Sequence, residues 1–206
     1  MCSSTNLKDE ITRCLSIEAE SIAALKENLS LDIMEQIVKK IGDCQGRILV
    51  SGCGTSAMAA RKVAHSLCCV ECPAYFLSPA DAVHGALGGL QKDDILILIS
   101  KGGNTEELMR LINPCRKKGA LLIAVTENEN SGIAIQADLV LKVAVKKEPC
   151  RFNMLATAST LAVISAFDSI CIALMQYTGY TREQFAIIHP GGEVGERLQK
   201  IVGQKK

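Results

Sequence analysis

Apolar positions follow two rhythms along the chain. Between residues 6 and 28, Ile11, Leu15, Ile22 and Leu25 recur at helical spacings, so one face of a helix is apolar. Residues 31–41 repeat the pattern with Ile33, Met34, Ile37, Val38 and Ile41. The rhythm then changes. Arg47–Ser51, Ala74–Leu77, Asp94–Ser100, Ala120–Val125 and Leu139–Val143 are short, near-continuous apolar runs. Such runs predict strands buried on both faces, the mark of a parallel sheet. Helix-forming stretches over 56–69, 105–118, 156–177 and 181–187 lie mostly between and after them. The alternation predicts an α/β fold: a three-layer αβα sandwich, Rossmann-like, with a five-stranded parallel sheet and an N-terminal helical extension. The chain reads as one domain over 1–206, with helices in 1–45 and the sheet core and C-terminal helices in 46–206. Right-handed crossovers put every strand C-terminus on one edge. The loops that begin at Gly52, Ser78, Ser100, Thr126 and near Lys146 emerge there, and so should a ligand site.

Composition narrows the ligand. Lys and Arg number 23 against 22 Asp and Glu, so no field favours nucleic acid. Aromatics are 3%, without Trp, which leaves little for stacking platforms. A small molecule held by hydrogen bonds fits better. The start, MCSSTNLKDE, lacks the basic-then-apolar pattern of a signal peptide, so a cytoplasmic location is expected. Disulfides are then improbable despite ten cysteines. Cys69 and Cys72 form a CxxC beside Cys68, but no second CxxC or His pair stands at zinc-site spacing. Small apolar filler is the better reading, and no metal is expected. Leu155–Met175 is long enough to span a membrane, but Asp168 lies within it, so it reads as a buried helix.

Two loops share one design. Gly52-Cys-Gly54-Thr55-Ser56 follows the first strand, and Ser100-Lys101-Gly102-Gly103-Asn104-Thr105 follows the third. Glycines permit close backbone approach, and the helix N-terminus behind each offers free N–H groups to an anion. The pair reads as a phosphate cradle. A dinucleotide fingerprint is the competing reading of the first loop, but it wants an acid ending the second strand. That strand ends Phe76-Leu77-Ser78-Pro79, so no nicotinamide or other cofactor is expected. Thr157, Ser159 and Thr160 add hydroxyls at the start of the long last helix, beyond what an N-cap needs. Of three histidines, His65 falls inside a helix and reads as structural. His84 follows the second strand, and His189 stands before Pro190-Gly191-Gly192, as a site group or a helix C-terminal residue.

Together these pieces resemble the sugar isomerase (SIS) domain family, within it the arabinose 5-phosphate isomerase branch. The resemblance runs from about Glu20 to Leu198, and rests on GxGxS, SxxGxT, Asp81-Ala-Val-His84-Gly-Ala-Leu-Gly, Lys147-Glu148-Pro-Cys, Thr157-Ala-Ser-Thr160 and His189-Pro-Gly-Gly. Members often carry two C-terminal CBS modules, which this sequence lacks. The resemblance implies a phosphorylated sugar as ligand and a homotetramer or homodimer, with no nucleic-acid or membrane partner. It implies aldose–ketose isomerisation through a cis-enediol, with phosphate at Gly54, Thr55, Ser56, Ser100 to Thr105, Thr157, Ser159 and Thr160. Glu148, His189 and His84 match catalytic positions. Two positions depart from the branch pattern: Thr55 replaces a Lys and Asn104 replaces a Glu, while Lys101 is an added cation. The alternative is a catalytically silent phosphosugar-binding module.

Overall fold

The computed structural model describes residues 6–193 and 195–197. Five strands, β1 (Ile48–Gly52), β2 (Ala74–Phe76), β3 (Ile95–Ile99), β4 (Leu121–Thr126) and β5 (Leu139–Lys142), form one sheet in the order β2-β1-β3-β4-β5. All neighbouring pairs are parallel, with Val50 opposite Ile97 and Ile97 opposite Ile123. The expected three-layer α/β sandwich is therefore present. Its order reverses between β1 and β3. In open α/β sheets the crevice at such a reversal is where ligands bind. The two glycine loops are the ones that flank it.

The strand sequences explain the layers. Successive side chains point to opposite faces, so each apolar run feeds two cores. On one face Val50, Ile97 and Val125 meet α3 (Leu31–Gly42), α4 (Thr55–Cys68) and α7 (Ala158–Thr178). On the other, Leu49, Leu96 and Leu122 meet α6 (Glu106–Lys118). α1 (Leu7–Ala23) packs on α7, and α2 (Leu25–Asn28) follows it after a break at Ala24. The apolar stretch read as a possible span is α7, which inserts Phe167, Ile170 and Leu174 between α3 and α4. Its Asp168 pairs with Lys62 of α4.

One crossover is shorter in helix than the alternating pattern suggested. After β2 the chain makes only α5 (Pro79–Ala82) and a 3₁₀ turn, Ala86–Gly89. Gly85, Gly88 and Gly89 make that segment costly to hold as a long helix. Between β4 and β5 the connection is a series of turns, and those turns reach back to the site. α8 (Arg182–Ile188) follows α7, with a Thr181–Gln184 capping box at its start.

Candidate active site

The first loop turns at Gly54, where φ is +55°. Gly52 lets it fold tightly: a Cβ there would stand 2.8 Å from the Ser56 carbonyl. Gly54 is also the N-cap of α4. It brings no side chain to that role, and the first turn holds no acid. The positive end of α4 therefore faces the sheet edge without an intrinsic counter-charge. α6 differs, because Glu106 and Glu107 occupy its first turn.

The second loop is internally bonded. Ser100 and Thr105 share a hydroxyl–hydroxyl bond of 2.9 Å, and Gly103 N–H donates to Ser100 Oγ at 3.1 Å. The β4–β5 connector clamps it from outside. Thr126 Oγ1 and Glu127 N–H donate to the Lys101 carbonyl at 2.8 and 3.0 Å, and Ile133 N–H donates to the Gly103 carbonyl at 3.0 Å. Asn104 joins this clamp, since its Oδ1 accepts from Gly132 N–H at 2.7 Å. Asn104, expected among the ligand-binding residues, has its oxygen engaged by the loop's own scaffold.

Glu148 is the centre of the site. It lies in the loop after β5, at the C-terminal sheet edge, and is 2% exposed. Its Oε1 accepts from Lys101 Nζ at 2.7 Å. Its Oε2 accepts from Thr157 N–H at 3.0 Å and Ser159 N–H at 3.4 Å. A carboxylate from outside the helix thus caps α7, whose own N-cap Thr157 makes no side-chain cap bond. Asn153, held at φ +54°, accepts the Glu148 N–H on its Oδ1 at 2.6 Å. Burial works to raise the Glu148 pKa. The Lys101 ammonium, Ser159 and the Thr157 N–H outweigh it, so the carboxyl lies below its ordinary range.

A cavity of about 70 Å³ lies beside this group, lined by Thr55 and Ser56 of the first loop, Lys101 of the second, and Ser159 and Thr160 of α7. The structure thus joins three of the segments singled out in the sequence around one small space, whose floor is apolar (Ile99, Val125, Val143). It does not bring the two histidines there. His84 is exposed on the segment after β2 and does not line the cavity. His189 caps α8 with its Nδ1 3.0 Å from the Phe185 carbonyl. α8 is tied to the other end of the molecule: Gln184 Nε2 donates to Glu71 at 2.8 Å, just ahead of β2. Within one chain, His189 therefore does not share the cavity beside Glu148.

A larger cavity, about 440 Å³, opens at the opposite sheet edge between Asp93, Asp94, Arg116 and Asp138. Its carboxylates serve the fold: Asp94 accepts from the Arg47 and Gln91 N–H groups, and Asp138 from Leu122 N–H and Arg116. Size and chemistry disagree here, and the chemistry marks the smaller cavity. The CxxC is structural filler at its buried end: burial pushes the Cys72 thiol up to about 11. Sequence reading missed Asn153 and Thr126. An Asn can adopt positive φ and bond nearby backbone, but nothing in one sequence distinguishes it from Asn128 or Asn130.

A parallel sheet with two glycine-turned loops at its point of reversal, and a buried carboxylate from the loop after β5 paired with one of them, defines a doubly wound α/β domain. Residues 43–183 match the SIS domain, and the chain belongs to that family. It is 36% identical over 192 residues to the arabinose 5-phosphate isomerase KpsF of Escherichia coli O6:H1, covering 91% of this chain and 58% of that protein. It is 34% identical over 184 residues to the arabinose 5-phosphate isomerase GutQ of E. coli K12, covering 89% and 57%. The chain thus spans little more than half the length of these curated relatives. A Listeria monocytogenes crystal structure, provisionally designated a sugar-phosphate isomerase, superposes with a TM-score of 0.90 at 54% identity, covering 93% of this chain and all of that one. An E. coli CFT073 protein in complex with arabinose 5-phosphate superposes at 0.85 with 30% identity, covering 91% and 100%.

Proposed function

We propose that this chain is a cytoplasmic aldose–ketose isomerase acting on a phosphorylated sugar, with residues 1–206 working as one domain. The observation that carries the reading is Glu148: a buried carboxylate, held ionised, beside a hydroxyl-lined cavity at the reversal of a parallel sheet. A buried charge is costly unless it is paired, and Lys101 and the α7 N–H groups keep this one charged. The KpsF and GutQ names and the E. coli protein's complex with arabinose 5-phosphate support the sugar-phosphate class.

In the proposed reaction the phosphate lies against the α4 N-terminus and the hydroxyls of Thr55, Ser56, Ser159 and Thr160. Glu148 takes the proton from the carbon next to the carbonyl, leaving a cis-enediol, and returns it to the neighbouring carbon. A second group must move the proton between the two sugar oxygens. His189 and His84 fit that role by chemistry. Neither lines the cavity of its own chain, so they would act in the site of a neighbouring subunit. The exposed apolar row Leu7, Ile11 and Leu15 along α1 supports a homo-oligomer, read as a tetramer or dimer. One observation favours the second reading, a silent phosphosugar-binding module: Asn104 is turned into the loop clamp and Thr55 carries no charge. A coupled assay across pentose and hexose phosphates in ²H₂O separates the two. Isomerisation with deuterium incorporated at the reacting carbon is expected, and saturable binding without exchange would establish the silent module.

A further inference from the structure

We infer that Lys101 is a positioning residue that holds Glu148 before substrate arrives and yields to the phosphate of the incoming sugar, so that binding the phosphate releases the base. The inference rests on the proposed role of Glu148 and adds a control to it.

The two partners are unequal. The Glu148 side chain is fully enclosed, whereas the Lys101 side chain is 37% exposed. Glu148 is held by two further N–H groups at the start of α7 and cannot follow a departing ammonium. The Lys101 backbone is equally fixed, since its carbonyl accepts from Thr126 and Glu127. What remains free to move is the lysine's flexible stem. It lines the cavity that also holds Thr55, Ser56, Ser159 and Thr160, and among the described residues lining that space it is the charged one. A phosphate carrying a charge near −2 therefore finds one ammonium to pair with, already engaged by a single carboxylate charge. The more highly charged and more accessible anion should draw it.

The consequence for Glu148 follows from its surroundings. Lys101 is the charged group in contact with the carboxylate. From α1, Arg13 pairs with Glu10 and donates to the Pro149 carbonyl. In its own loop, Lys147 and Arg151 flank it in sequence. The start of α7 contributes neutral N–H groups and no acid in its first turn. When Lys101 leaves, burial remains while the main opposing charge is gone, so the carboxylate becomes a stronger base. Binding energy from the non-reacting end of the substrate is thereby used at the reacting carbon.

The test follows the ¹³C carboxyl resonance of Glu148 in the intact protein through a pH titration, with and without sulfate, which stays doubly charged throughout. Without sulfate, Lys101→Met should titrate Glu148 at higher pH than the unaltered protein, and Lys101→Arg should restore the low value. Sulfate should raise the titration in the unaltered protein and leave Lys101→Met unmoved. In steady state, the acid limb of kcat should lie above that of kcat/KM in the unaltered enzyme, and the two limbs should coincide in Lys101→Met. The same variant should raise KM roughly ten- to hundredfold, with the smaller effect on kcat. If Glu148 titrates alike with and without Lys101, the inference is overturned. So it is if sulfate shifts the amides of residues 54–56 and 159–160 and leaves Glu148 unchanged. Sulfate that moves none of those amides would instead refute the phosphate site of the proposed function.

Discussion

At the residue scale, the site is a carboxylate that one neighbouring charge and one helix end keep ionised. Glu148→Gln keeps the shape and one acceptor oxygen for the α7 N–H groups, turns an NH2 toward Lys101 in place of the other oxygen, and removes the base. Turnover should fall roughly 10²–10⁴-fold while ligand affinity changes little, read by kcat and by calorimetric binding. Full activity in that variant would show that the carboxylate has been misassigned. The same residue bears on stability. Its folded pKa is lowered, so its ionised form stabilises the fold above the ordinary carboxylate range, and that contribution is lost as pH falls through the folded value. Glu148→Gln should therefore flatten the acid side of the stability profile, measured by urea unfolding at a series of pH values. Glu148 and the loop hydroxyls were legible in the sequence because the motifs carry them. The Lys101 contact was not, because a lysine's partner depends on a fold that brings residues 47 positions apart together. The bond from Gly132 to Asn104 was hidden for the same reason: a short polar side chain in such a loop can serve the loop as well as a ligand.

At the element scale, the second loop is built by its neighbour in the sheet. The end of β4 and the β4–β5 connector donate four hydrogen bonds into residues 101–104, through the Thr126 hydroxyl and the N–H groups of Glu127, Gly132 and Ile133. Gly103 permits this closeness. Its φ is +72°, and a Cβ there would stand 1.9 Å from Ser131 Oγ and 2.9 Å from Thr126 Oγ1. Gly103→Ala adds both a clash and a backbone conformation that alanine resists. It should cost about 1–3 kcal/mol by thermal unfolding, and weaken anion binding beyond what the stability loss explains. An unchanged melting temperature and affinity would mean that the loop has room the geometry denies it. The sheet itself could be read from the sequence because each strand is largely apolar and glycine or turn residues bound most of the runs. The β4–β5 connector could not. Its value lies in backbone N–H groups, which every sequence possesses and only the fold aims.

At the scale of the whole molecule, the proposed chemistry needs more than one chain. Glu148 lies at the C-terminal sheet edge, while α8, which ends at His189, is tied through Gln184 to Glu71 ahead of β2, so under the proposed function a neighbouring subunit supplies the second proton-transfer group. The exposed row on α1 offers the surface for association. Leu15→Glu should shift the assembly toward smaller species by light scattering at micromolar concentration, with activity falling in step. Undiminished turnover by a monomer would place the second proton-transfer group within the chain.

Under the proposed function, substrate choice turns on the charges that face the cavity. The resemblance to arabinose 5-phosphate isomerases places a lysine where this chain has Thr55 and a glutamate where it has Asn104. Thr55 lines the cavity without charge, and Asn104 is engaged by Gly132. The cation that remains, Lys101, approaches from the second loop rather than the first, and from the side of Glu148. Loss of one charge-assisted contact costs about 1.5–3 kcal/mol, roughly ten- to hundredfold in binding or rate. A cation moved to the neighbouring loop restores charge but not direction, so it favours a sugar whose phosphate sits differently relative to the reacting carbons. Arabinose 5-phosphate should therefore turn over at least tenfold less efficiently here than in KpsF or GutQ, and another sugar phosphate should be preferred. The pair Thr55→Lys and Asn104→Glu, introduced together, should raise kcat/KM for arabinose 5-phosphate and lower it for the preferred sugar. Arabinose 5-phosphate turnover by the unaltered chain at the rate of those enzymes would show that position 101 fully replaces position 55.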